Sequence, residues 1–376
     1  MSGQKLVGIA CVKTEVDIIE AFVRHTLAFV DHLVILDNGS VDGTVTVLRS
    51  LERQLGFRLV VVEDSAPTRT QAILMTFLMK KYAIGELGAD WVVCLDADEF
   101  IAGIDPVGLR DLLSSHQGVL TWTWKAYAPQ ESDPKGETNP VKRIQHCVVG
   151  EMSPWDKVLV HRSIAQRANT IVEMGSHWVT VGQVKEPSAR IPSGFLAHFP
   201  IRNPYQWASK VTNHVLKHLA NPDYIPGHGL QHFEHWEALK TDLDASLEHW
   251  RDQAMYYGVP PEVNRTKAIL EKEPLKYLGG AQTEPAQEQN REVLIAVLMS
   301  KAEALARSLS EAGRTERVLR EKIETLQVNI SKAHEVETEL MKRLHVLESS
   351  RAVRWARRLR RVLRCFQGSW WHREKM

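Results

Sequence analysis

The stretch VVCLDADEF, residues 92–100, runs an apolar segment directly into three acids, Asp96, Asp98 and Glu99. Charge at the end of a buried strand is costly unless something compensates it. At i, i+2 spacing, Asp96 and Asp98 can turn both carboxylates to one side of an extended chain, a two-point oxygen site for a hard divalent cation, Mn²⁺ or Mg²⁺. Magnesium usually fills its remaining positions with water and substrate phosphates, which points to a phosphorylated substrate. The same acids also suit Asx turns or a helix cap. Further acids fall at comparable places: Asp37 closes HLVILD and Glu15 follows KLVGIACV. Glu15 also suits a helix N-terminus and Asp37 its own turn, but neither use explains why several strand ends share this chemistry. Neither G-x-G-x-x-G nor G-x-x-x-x-G-K-[ST] is present, so phosphates have no glycine-rich cradle and a carboxylate-held cation is the better physical solution.

The elements that must position these acids alternate. KLVGIACV, HLVILD, RLVVVE and DWVVCLDAD read as strands, DIIEAFVRHTLAFV and QAILMTFLMKKY as helices between them, and VLTWTWKAY continues the sheet. Such βαβ alternation predicts an α/β fold with a mostly parallel sheet, which takes its ligand beyond the carboxyl ends of the strands. Residues 126–285 are less regular, rich in His, Trp and Pro, with loop signals such as APQESDPKGETNP.

VKTEVDIIEAFVRHTLAFVDHLVILDNGSVDGT, followed by QAILMTFLMKKYAIGELGADWVVCLDADEF, resembles the nucleotide-binding half of glycosyltransferase family 2, in the branch that reads K-x-E-x-D-I-I-E, D-N-x-S-x-D-G-T and D-x-D-E-F. The resemblance covers residues 5–125 and continues more weakly through DKVLVHR, GSHW and LAHFPIRNPYQWASK to about residue 215. It implies a GT-A fold, with residues 1–125 as the nucleotide-sugar-binding half and 126–285 as the acceptor half. It also implies a nucleotide-sugar donor, UDP-linked by preference, and a glycan or lipid-linked acceptor. By position, Lys13, Glu15, Asp37 and Asn38 would hold the nucleotide, Asp96 the ribose or metal, and Asp98 the metal bridging the diphosphate. Arg69 would reach the nucleotide or diphosphate, or stand as a solvated loop arginine.

Family 2 transfer inverts the anomeric centre and so needs a general base. Asp156 and Glu173 are the candidates in the acceptor half, each of which also suits a surface carboxylate or cap. His177 is a candidate for the nucleotide side and His198 for the metal, with a structural hydrogen-bonded histidine as the other use of each. Lys157, Arg202 and Lys210 would offset diphosphate charge. His214 and His218 at i, i+4, with His228, His232 and His235, have a spacing that can bind zinc, but no HExxH or cysteine partner accompanies them and a polar helix face is the simpler reading.

The composition, 44% hydrophobic and 25% charged, is that of a globular protein. No apolar run approaches a membrane span and no secretory leader is recognisable, so a cytoplasmic location is expected. The four cysteines are widely spaced without a C-x-x-C pair and read as free thiols. Over 290–350, Ala302, Leu309, Glu316, Ile323, Ile330, Glu337 and Leu344 form one seven-residue series. Leu305, Ala312, Leu319, Leu326, Ala333, Leu340 and Leu347 form the other, a heptad pattern that predicts a coiled coil and a homo-oligomer. A long helix folded back on the catalytic domain is the alternative, since two glutamates fall on the seam. The net charge of +1 conceals nine Lys/Arg against one acid in 351–376, leaving −7 for the rest. That tail reads as a basic amphipathic helix followed by Trp370 and Trp371. It suits an anionic membrane surface, on the inner face, better than nucleic acid, with a protein partner as a third use.

The sequence therefore points to a metal-dependent inverting glycosyltransferase. A nucleotidyltransferase using the same acids is the rival enzyme, and a non-catalytic coiled-coil scaffold in glycan assembly the rival of another class.

Overall fold

The computed structural model describes residues 4–64, 70–149, 155–219, 230–257 and 269–282, together with scattered residues from 315 to 343. The chain divides into two compact units, Met1–Leu305 and Ala306–Met376.

The first unit opens with β1 (Leu6–Val12), α1 (Ile19–Thr26), β2 (His32–Asp37), α2 (Thr44–Leu55), β3 (Leu59–Glu63) and α3 (Gln71–Phe77), which runs on as a π-helix over Leu78–Glu86. Next come β4 (Trp91–Leu95), β5 (Glu99–Ala102), α4 (Pro106–Ser114), β6 (Val119–Ala126), α5 (Pro140–Arg143), β7 (His146–Val148) and β8 (Asp156–His161). The chain continues through α6 (Arg162–Ala165), β9 (Thr170–Val172), β10 (Val179–Val181), β11 (Val184–Lys185), β12 (Ser188–Arg190) and β13 (Phe195–His198). It then forms α7 (Pro204–Leu219), α8 (Leu230–Thr241), α9 (Leu243–Glu248), α10 (Trp250–Met255) and β14 (Leu270–Lys272).

The central sheet is mixed, in the order β3-β2-β1-β4-β8-β6-β13-β5, with β12 beside β6. β3, β2, β1 and β4 are parallel, whereas β8 runs antiparallel to both β4 and β6, and β13 antiparallel to β5. Strands buried on both faces read as continuous apolar runs, and all five residues of β4 are buried. The period of two then sorts one strand into two cores: Leu6 and Ala10 pack with Phe22, Ile35 and Phe100, while Val7 and Ile9 pack with Leu36, Leu74 and Cys94. Gly8 permits the close approach of the first layer, since a Cβ there would lie 2.9 Å from Leu33 Cδ1 and 3.5 Å from Thr26 Cγ2. Helices cover both faces of this sheet, α1 and α2 on one and α3 on the other, an α/β architecture.

One connection shapes the site. β4 and β5 are four neighbours apart in the sheet, about 19 Å if it were flat. Only Asp96, Ala97 and Asp98 join them, a reach of about 14 Å from Leu95 to Glu99. The sheet must therefore curl, wrapping β8, β6 and β13 around the acidic turn. Strands from both halves of the sequence thus interleave in one sheet.

α7 to α10 pack through Ile201, Trp207, Ala208, Val211, Leu239, Trp250 and Ala254. Cys94 and Cys147 are buried and Cys11 is partly so, and none of the three is in a disulfide; Cys365 lies outside the described residues. No helix among the described residues is long and apolar enough to cross a membrane. In the second unit the described residues are helical, with Ile323 and Leu326 at 53% and 59% exposure. Most of the heptad pattern and the whole basic tail lie outside the described residues.

Candidate functional site

The acidic turn opens on a cleft of about 260 Å³ at the carboxyl ends of β1 and β4. Lys13, Thr14 and Glu15 line it from the loop after β1, Asp96 and Asp98 from the turn, Trp124 from β6, His198 from β13, and Gln206, Lys210, Asn213 and His214 from one face of α7. Gln71 and Tyr257 complete the rim.

Each aspartate of the turn is matched by a lysine. Asp98, only 4% exposed, accepts from Lys210 Nζ at Oδ2, 2.7 Å away, and faces His198 Nε2 at 3.5 Å from Oδ1. Burial alone would raise its pKa; Lys210, His198 and Arg202 together pull it well below the ordinary carboxylate value. Asp96 bonds Lys157 Nζ through Oδ2 and accepts from Gln71 Nε2 through Oδ1 at 2.9 Å. Glu99 is fully buried and closes the turn by accepting the Asp96 N–H at 2.8 Å. Its other oxygen lies 3.3 Å from the same Lys157. One ammonium thus serves two carboxylates; burial pushes Glu99 up to about 8 against the pull of Lys157, while the neighbouring Asp96 adds to the rise.

Glu15, on the cleft wall, pairs with Arg202 behind it. Arg202, 1% exposed, forks onto Asp17 at 2.7 and 2.8 Å, reaches Glu15 at 2.5 Å and donates to the Phe199 carbonyl at 3.0 Å. It ties the loop after β1 to the loop after β13. Burial pushes Glu15 up to about 7, with Arg202 opposing and Asp98 adding to the rise.

The residues expected to hold the nucleotide are placed as follows. Lys13 lines the cleft and donates to the Asn38 carbonyl at 2.5 Å. Asn38 is buried, its amide donating to the Asp64 carbonyl at 2.8 Å. Asp37 Oδ1 accepts the N–H groups of Gly39 and Ser40, both at 2.9 Å, making the turn that was the plainer of its two expected uses. Its Oδ2 is buried without a hydrogen-bond partner among the described residues. Arg69 lies outside the described residues.

Besides Asp37, Asn38, Lys157 and Arg202, whose contacts are given above, three more expected residues do not line the cleft. Asp156 alternates with Lys157 along β8 and binds Arg190 at 3.2 Å and Thr121 at 3.1 Å. Glu173 accepts from Thr180 Oγ1 at 2.6 Å. His177 donates through Nδ1 to the Asp156 carbonyl, 2.8 Å away, and stacks on Trp155. Conversely, Gln71, Trp124, Gln206, Asn213 and Tyr257 were not singled out from the sequence. The α7 members had a readable signal, since Gln206, Lys210, Asn213 and His214 recur at i, i+4, i+7 and i+8.

The donor set suits a hard cation at one place. Asp98 Oδ1 and His198 Nε2 face each other, and burial lowers the His198 pKa, against the pull of Asp98, so that the ring is neutral and able to ligate. No group of three or more ligating side chains occurs among the described residues. The chain would supply two ligands, leaving the rest to phosphate and water. Asp96, engaged by Lys157 and Gln71, stands apart from that pair. Of the second histidine group, the His214 and His232 rings lie 4.0 Å apart between centroids, tilted by 38°, His235 packs on Trp207 at 5.7 Å, and His218 and His228 fall outside the described side chains.

No protein-family model matches the chain, and no curated protein sequence matches it. Solved structures are similar in part. A structure of S. aureus TarS 1–349 aligns over 67% of this chain and 81% of that one, at 14% identity and a TM-score of 0.33. S. aureus TarS 1–349 in complex with UDP aligns over 67% and 79%, at 12% identity and a TM-score of 0.30. A putative glucose-1-phosphate thymidylyltransferase from Bacillus anthracis, in complex with a sucrose, aligns over 35% of this chain and 63% of its own, at 10% identity and a TM-score of 0.25.

Proposed function

We propose that the chain is a metal-dependent inverting glycosyltransferase, family 2-like, that moves a sugar from a nucleotide-sugar donor, UDP-linked by preference, to a glycan or lipid-linked acceptor. The observation that carries this is the convergence of Asp98, His198 and Lys210, with Lys157 beside them, on a cleft at the carboxyl ends of parallel strands. The motifs around Glu15, Asp37 and Asp98 support it.

Breaking the bond from an anomeric carbon to a diphosphate builds negative charge on the leaving group. A bound Mn²⁺ or Mg²⁺ would supply Lewis-acid stabilisation of that charge. Asp98 and His198 are the residues to hold it. Lys210 keeps Asp98 ionised and presents a second positive charge to the cleft, and the buried Lys157 pairs with Asp96 behind it. Trp124, 4.6 Å from His198 between ring centroids, fixes that imidazole and excludes water from one wall. Gln206 and Asn213 add donors and acceptors along α7.

Self-association through the heptad pattern, and contact of the basic tail with an anionic membrane surface from the cytoplasmic side, belong to the same proposal.

The test is release of free UDP from a panel of UDP-sugars with Mn²⁺, compared with an Asp98→Asn variant. Loss of release in the variant supports the reading. Pyrophosphate from a nucleoside triphosphate and a sugar phosphate would favour a nucleotidyltransferase, and no release by either chain would favour a scaffold.

A further inference from the structure

Beside the cleft lies a second group of aromatic rings with no part in the chemistry above. Trp155 is 41% exposed and lies nearly parallel to His177, 5.0 Å between centroids at 28°. It is equally parallel to Trp178, 6.4 Å away at 28°. The three rings form a shelf. Lys185 sits over Trp178 at 5.3 Å, a cation at its edge, and Met174, 49% exposed, adds apolar surface.

The shelf is built rather than incidental. Gly175 has φ of 72°, and a Cβ there would lie 2.3 Å from His177 Nε2, so the ring occupies space that only glycine leaves. The His177 ring is also held by the Asp156 carbonyl. Two links tie the shelf to the cleft. Trp124 lines the cleft against His198 and touches His177 at 5.6 Å, so the aromatic surface runs without a break from one site to the other. Gln71 accepts the Gly175 N–H at 3.2 Å and donates to Asp96 at 2.9 Å, joining the shelf loop to the acidic turn through one side chain.

Flat, partly exposed indole rings are suited to the C–H faces of a pyranose, where large amphipathic contact area comes with little loss of side-chain freedom. We propose that Trp155, His177 and Trp178 form the acceptor subsite, which stacks a sugar ring of a glycan and delivers its hydroxyl past Trp124 to the donor. This rests on the nucleotide-sugar reading above and names the acceptor side of that site. The other flat ligand the shelf could take is the donor's own base.

The experiment applies the full chain to an array of short immobilised oligosaccharides, chitin, β-glucan and galactan fragments, and separately titrates it with UDP in Mn²⁺. Trp155→Ala, Trp178→Ala and Trp155→Phe are run beside it. The native chain is expected to retain at least one oligosaccharide, each alanine variant to bind it about tenfold less and Trp155→Phe to keep most of the binding, with the Kd for UDP within about twofold throughout. Retention of none of these glycans by the native chain, or equal retention by the alanine variants, overturns the proposal. So does a loss of UDP binding in those variants, which would make the shelf a base platform. A native chain that retains glycan but binds no UDP leaves the shelf standing and counts against the donor reading instead.

Discussion

Lys210 Nζ lies 2.7 Å from Asp98 Oδ2 and 3.1 Å from the Pro200 carbonyl, so one ammonium closes α7 onto the acidic turn. Removing one member of a buried ion pair strands the other, at a cost of about 3–5 kcal/mol where burial is complete and less here, since Lys210 is 24% exposed. Asp98→Asn should therefore lower the Tm as well as turnover. Replacing both partners, as Asp98→Asn with Lys210→Met, should recover most of the Tm and none of the turnover. Recovery of turnover in the double variant would show that Asp98 serves only to neutralise Lys210.

The burial of Glu99, opposed by the shared ammonium of Lys157, gives a pH dependence with a definite sign. Glu99 is pushed up to about 8 in the folded chain, above the ordinary glutamate value, so between the two the folded state holds a proton that the unfolded state has lost. Stability from this group then falls as pH rises. Histidines complicate the lower part of that window: His25 is pushed down to about 4 by burial, and His198 and His177 are also lowered, so their contribution rises with pH up to about 6.5 and is flat above it. Glu15, pushed up to about 7, adds a fall of the same sign below that pH, so the clean interval is pH 7 to 8. There Glu99→Gln should gain Tm relative to the native chain, by about 2–5 °C at pH 8, the gap levelling off at higher pH. Parallel Tm curves for the two chains would contradict a protonated Glu99.

How much of this was legible follows from locality. β1, β2 and β4 are buried on both faces and the edge strand β3 on one, with half-buried valines on the other, so each appears as an apolar run, and the parallel half of the sheet could be read directly. β8 and β13 could not: FLAH is four residues long, and its place between β6 and β5 is set by pairing with strands far away in sequence. The curl around Asp96–Asp98 depends on those strands and was equally hidden. Residue types at the site fared better, since Asp98, His198 and Lys210 each stood out. Directions did not, because without the register of β8 nothing says that Lys157 turns towards Asp96 while Asp156 turns to Arg190.

Arg202 gives a test of geometry against charge. Its fork binds Asp17 through two nitrogens and Glu15 through one of them, a planar match that a lysine cannot reproduce. Arg202→Lys keeps the charge and should still destabilise by about 2–4 kcal/mol, because part of a buried acidic pair loses its donors. Chemical denaturation reads the loss. A variant as stable as the native chain would mean that the positive charge alone holds the two loops together.

The heptad pattern makes the last prediction. Ile323 and Leu326 fall on the two seam series, and at 53% and 59% exposure each leaves apolar surface in contact with water in a single chain. Burying such a side chain contributes about 1.5–3 kcal/mol, and repetition along the seam would multiply that into a stable association. The native chain should then run as an oligomer in light scattering at micromolar concentration. Leu326→Asp, which puts a charge on the seam, should shift it towards monomer while leaving UDP binding in the first unit intact. A native chain that is monomeric under the same conditions would exclude the coiled coil and leave the folded-back helix as the reading of this segment.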